Sequence, residues 1–129
     1  MNRSVHLTNR LLFRFLLLSS LHECPPNGQG ITALLALNIL AALNVNWQEI
    51  EWGSAPHLHL LIEALRIAFS DTRTYVADPD VVHVPVDALL SPEYARKRAE
   101  LFMPDQRNTE IVHGYPENNS CTVSFQVVD

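Results

Sequence analysis

The chain has 129 residues, 47% hydrophobic and 18% charged, which suits one globular unit or one piece of a larger domain. Its formal charge of -5 and the absence of a long Lys/Arg run argue against a nucleic-acid surface, because neutralising phosphates takes clustered cations. Cys24 and Cys121 allow at most one disulfide; their spacing matches no zinc signature, and the sequence leaves their pairing open.

Residues 1 to 23 read as a divergent leader. Arg3 and Arg10 precede an apolar run, Leu11 to Leu18 broken by Arg14, and Ser19 and Ser20 follow it. The pattern has some look of a secretory signal, which Arg14 spoils, and an amphipathic or misannotated leader is the favoured reading. The run is too short and interrupted for a membrane span, which needs about 20 predominantly apolar residues.

Residues 24 to 102 read as the helical part. PPNGQG, residues 25 to 30, is irregular backbone, since Pro25 and Pro26 lack amide donors and Gly28 and Gly30 permit tight turns. From Ile31 to Leu43 only Thr32 and Asn38 are polar, which predicts a helix buried on most sides and in need of neighbours all round. A second helix starts at the cap Ser54 with Pro56 in its first turn. Leu58, Leu61, Ile62, Leu65 and Phe69 form its apolar stripe, and it frays near Asp71. Ser91, Pro92 and Glu93 open a third helix that runs to about Phe102, acidic in its first turn and basic later at Arg96, Lys97 and Arg98.

Residues 103 to 120, with Pro104, Gly114 and Pro116, read as an exposed linker. In CTVSFQVVD, residues 121 to 129, Cys121, Val123, Phe125 and Val127 alternate with Thr122, Ser124 and Gln126, which predicts a strand with the threonine on its more polar face. A solitary strand leaves backbone groups unpaired, so its sheet partners are expected elsewhere, in further sequence or another chain.

Four stretches in this order resemble the gamma-glutamyltransferase (glutathione hydrolase) family: PPNGQGITALLALNIL at 25 to 40, HLHLLIEALRIAFSDTRTYVADPD at 57 to 80, VPVDALLSPEYARKRAEL at 84 to 101 and TVSFQVVD at 122 to 129. The resemblance implies an α/β fold, a fragment of the four-layer alpha-beta-beta-alpha core of N-terminal nucleophile hydrolases. This segment would be mainly helical, with the strand at its C-terminal end. It implies self-cleavage between Cys121 and Thr122 and attack by the freed Thr122 on gamma-glutamyl amides such as glutathione, the acyl group passing to water or to an amino acid or peptide. The chemistry suits a threonine: once N-terminal, its own alpha-amine, titrating near neutrality, acts as general base. Family members often carry a second threonine and a histidine after the nucleophile, where this chain has Val123 and Ser124.

By the same resemblance, the arginine that grips the substrate carboxylate lies upstream of this region and the oxyanion-hole glycines lie downstream. One oxyanion donor is worth about 10²- to 10³-fold in rate, so the chain alone is expected to be inactive. It is expected to associate with the remainder of the fold or with a full-length paralogue. The competing reading is a non-catalytic helical interaction module or an unprocessed gene fragment. No cofactor is implied, since amine and hydroxyl both belong to the protein.

Other chemistry-bearing residues have plainer readings. His57 and His59 stand two apart, which on a helix points them in different directions and discourages a shared metal. Asp78 and Asp80 flank Pro79, as turn carboxylates do. Gly28 and Gly30 lack the Lys-Ser/Thr of a phosphate loop. Cys121 reads as a small buried hydrophobe, and Arg96, Lys97 and Arg98 as a solvated helix end.

Overall fold

The computed structural model describes residues 7–10, 20–23 and 28–116. A two-stranded antiparallel ribbon, β1 (Leu7–Arg10) with β2 (Ser20–Glu23), pairs Leu7 with Glu23 and Arg10 with Ser20. Four helices follow: α1 (Gly30–Ala42), α2 (Ala55–Tyr75), the single turn α3 (Val86–Leu89) and α4 (Pro92–Ala99). A short 3-10 turn, Trp47–Glu49, lies between α1 and α2. The described residues are mainly helical. The strand expected at residues 121 to 129 lies outside them.

α1 is the central helix, packed against both α2 and α4. Ile31, Leu34, Leu35, Ile39 and Leu40 are buried, and within the helix only Ala41 is exposed. Its two polar side chains are satisfied, Thr32 by a hydroxyl bond to Thr72 at 3.0 Å and Asn38 by a bond to the Leu90 carbonyl at 3.1 Å. The neighbours that an all-round apolar helix requires thus come largely from this chain, from Leu60, Ala64, Ile67 and Ala68 of α2 and Leu89 and Tyr94 beyond it. Asn44 ends the helix in the left-handed region (φ 50°), a conformation asparagine tolerates, and its amide donates to Ala41. Gly30 is needed for close approach: a Cβ there would stand 2.7 Å from the Cβ of Glu23.

α2 starts as expected, with the Ser54 hydroxyl accepting from the His57 amide at 3.4 Å and Pro56 in the first turn. Its buried face differs from the expected stripe. Leu58, Ile62 and Leu65 are 48%, 53% and 40% exposed, while Leu60, Ala64, Ile67 and Ala68 form the core face together with His57, Glu63, Asp71 and Thr72. Two alanines one turn apart let α1 approach closely, and Glu63 and Asp71 have partners there, so packing overrides the larger hydrophobes. α2 also runs to Tyr75, past the expected fraying point at Asp71, because Thr72 and Tyr75 in its last turn are tied to other parts of the molecule.

α4 has the expected opening, Ser91 accepting from the Tyr94 amide at 3.1 Å. It ends at Ala99 rather than near Phe102. Leu101 and Phe102 donate three residues back, to Arg98 and Ala99, and Pro104 disfavours a helical Met103. Between α2 and α3, the Asp78 carboxylate accepts from the Asp80 amide at 3.0 Å, the turn chemistry expected around Pro79. Among the described residues no helix is long and apolar enough to cross a membrane.

Candidate functional site

Beyond α4 the chain runs without helix or strand through residue 116, and residues 103–107 are exposed. Two polar knots then fasten it to α2 and α4. The first centres on Glu63, 2% exposed and paired with Arg66 one turn on. Glu63 Oε2 accepts from the Asn108 amide at 3.2 Å, and Arg66 Nη2 donates to the Asn108 carbonyl at 2.9 Å. The Asn108 side chain donates to the Leu101 carbonyl at 2.8 Å and accepts from the Glu110 amide at 2.9 Å. Every polar group of Asn108 therefore has a partner, which is what makes its burial affordable in an apolar setting.

The second knot is a buried ion pair. Arg98 Nε donates to Asp71 Oδ2 at 2.8 Å, with side-chain exposures of 6% and 0%. Arg98 Nη2 donates to the Ser70 hydroxyl at 2.9 Å and the Val112 carbonyl at 2.7 Å. Asp71 Oδ1 accepts from the Gly114 amide at 2.8 Å, and the Tyr75 hydroxyl donates to the Gly114 carbonyl at 2.7 Å. Burial pushes the Asp71 carboxyl above its usual range, against the opposing pull of the Gly114 amide and the Arg98 guanidinium. Burial, helped by the Asp71 charge, raises the Tyr94 phenol far above its ordinary value. Tyr94 Oη is the one buried side-chain polar atom among the described residues that lacks a well-formed hydrogen bond.

Arg98 thus corrects the reading of Arg96, Lys97 and Arg98 as one solvated cluster. Arg96 and Lys97 are exposed, whereas Arg98 is 5% exposed and neutralised. The knot residues escaped sequence reasoning because each looks like an ordinary surface residue. One signal was present: Glu63 and Asp71 stand eight apart, flanking Ala64 and Ala68, so a charge at each end shares the face of the small residues.

Thr122 and Cys121, the expected nucleophile and its cleavage partner, lie outside the described residues, as does Cys24. His57 and His59 have separate engagements. His57 Nδ1 accepts from the Gly53 amide at 3.2 Å, with Trp52 tilted over its ring, and His59 Nε2 meets the Met103 carbonyl at 2.7 Å. No grouping of His, Cys, Asp and Glu among the described residues could hold a metal ion. What the arrangement does chemically is hold backbone: residues 108 to 114, the approach to position 122, are tied at both ends.

The chain is 42% identical over 81 residues to the glutathione hydrolase-like YwrD proenzyme of Bacillus subtilis strain 168, covering 63% of this chain and 15% of that protein. It is 39% identical over 82 residues to the acylase ACY 1 proenzyme of Pseudomonas sp. strain SE83, covering 64% and 14%. In three dimensions it resembles the gamma-glutamyltranspeptidase from Pseudomonas nitroreducens complexed with L-DON, with a TM-score of 0.67 and 28% identity over 74% of this chain and 29% of that one. The chain therefore spans about 15% of the length of these curated relatives. The gamma-glutamyltranspeptidase family model matches residues 6–129, taking in most of the segment read as a leader as well as the final run, and the chain belongs to that family.

Proposed function

We propose that this chain supplies the helical layer and the nucleophile-bearing segment of a gamma-glutamyl acyl-transfer enzyme. Thr122, freed by cleavage of the Cys121–Thr122 bond, attacks the gamma-glutamyl carbonyl of glutathione or a related amide. The amine leaves, and water or an amino acid then takes the acyl group. Until cleavage, the Thr122 nitrogen is an amide without a basic lone pair, so processing is what switches the hydroxyl on. The observation that carries this reading is the family match through residue 129, which includes TVSFQVVD. Because the relatives are several times longer, catalysis by the 129 residues alone is not expected. The substrate-binding groups belong to polypeptide corresponding to the rest of the fold.

The test is release of the amine from a gamma-glutamyl anilide. The chain alone is expected to release none. Produced together with the remaining portion of a glutathione hydrolase, it is expected to release amine, and Thr122→Ala abolishes the release. Release by the chain alone that survives Thr122→Ala would refute the nucleophile assignment.

A second reading, a helical docking module, is favoured by the exposure of Leu58, Ile62 and Leu65 along one side of α2. Its occupant would be that same remaining portion of the fold, given the small share of the relatives that this chain spans. Replacing all three by Ser would then weaken co-purification with the remaining portion while leaving the helices folded. Unchanged co-purification would dismiss this reading.

A further inference from the structure

We propose that Asp71, Arg98 and Tyr75 are positioning residues that fix Gly114 and so set the point from which the chain departs toward Thr122. This rests on the reading of Thr122 given above. The anion takes the Gly114 amide, the cation takes the Val112 carbonyl, and the Tyr75 phenol takes the Gly114 carbonyl, all at 2.7–2.8 Å. Three backbone groups within three residues are therefore held by side chains from α2 and α4. The fit admits only glycine at the centre. A Cβ at position 114 would lie 2.6 Å from Tyr94 Oη and 2.9 Å from Arg98 Cδ, well inside contact distance.

Stability alone is a weak explanation of this arrangement. A buried ion pair commonly gives no more stability than apolar residues of similar volume, because desolvation offsets the attraction. An apolar pair, however, could not grip the backbone of residues 112 and 114. Geometry gives the consequence. From Gly114 to Thr122 is eight peptide steps, at most about 26–29 Å when fully extended. With this latch open the next anchor is Ile111, which packs against the core eleven steps back, and the limit grows to about 36–40 Å. Holding Gly114 shortens the range available to the hydroxyl by about a quarter and fixes the point at which the segment leaves the helices.

The test is a spin–spin distance measurement on the full chain. One label sits on the native Cys121 and the other on exposed α4 through Lys97→Cys, with Cys24→Ser removing the remaining thiol. The expected result is a bounded distribution in this parent, becoming broader and longer by about 1.4-fold in Gly114→Ala, as the ratio of reaches requires. Helix content should stay near the parent's, with a lower melting temperature because buried Asp71 loses the Gly114 amide. Tyr75→Phe, which removes one bond to the strap and none to the core, should broaden the distribution to a smaller degree. An unchanged distribution in both variants overturns the proposal. So does loss of helix in Gly114→Ala, since Gly114 would then serve folding rather than positioning. No catalytic event enters this readout, so it stands or falls separately from the anilide assay.

Discussion

Asp71 and Arg98 illustrate how far a buried charge depends on its partner. Removing one leaves the other uncompensated in a dry interior, and Arg98→Met or Asp71→Asn is expected to cost about 3–5 kcal/mol in urea unfolding. Replacing both with apolar residues should cost clearly less than the sum of the single losses, because no lone charge then remains. Simple additivity in that double-mutant cycle would contradict the pairing. Tyr94 adds a pH dependence whose sign follows from its raised phenol. The folded state keeps the proton after the unfolded chain has begun to lose its own near pH 10. The stabilisation is therefore present in full below pH 10 and given up as pH climbs toward the folded value. Wild type should lose stability relative to Tyr94→Phe between pH 9 and 11 in parallel denaturant titrations, and a constant difference would refute this.

At the scale of elements, the helices were legible where local chemistry decides. Ser54 and Ser91 announced their caps, Pro56 and Pro92 their first turns, and the run from Ile31 its burial. The orientation of α2 was not legible, because Leu58, Ile62 and Leu65 make one apolar side while Leu60, Ala64, Ile67 and Ala68 make another. Helix packing selected the side on which two alanines separate the larger residues. The two faces make opposite predictions: Ile67→Ala should cost about 2–5 kcal/mol through a core cavity, whereas Ile62→Ala should stay within about 0.5 kcal/mol. Thermal melts of the two variants check it, and a larger loss in Ile62→Ala than in Ile67→Ala would mean that the stripe read from the sequence is the buried one. The end of α2 was also hidden from a local reading, since contacts about forty residues away in the chain hold Thr72 and Tyr75 in place.

For the whole molecule, what the sequence conveyed was membership rather than detail. YVADPD and the ordered stretches around it pointed to a family, and the family match agrees. The candidate site was only half legible. Thr122 stands out through the resemblance, but the strap that leads toward it read as a mere linker, because its partners Glu63, Asp71 and Arg98 are scattered over 36 positions in the chain and meet only on folding. The same helices then have two duties, to enclose a core around α1 and to hold residues 108 to 114 against it. The measurement that bears most directly on the chain's role is N-terminal sequencing of the products formed when it is produced together with the remaining portion of a glutathione hydrolase. A new chain beginning at Thr122, absent in Thr122→Ala, is the expected result. An intact Cys121–Thr122 bond in an assembly that nonetheless releases amine from a gamma-glutamyl anilide would contradict it.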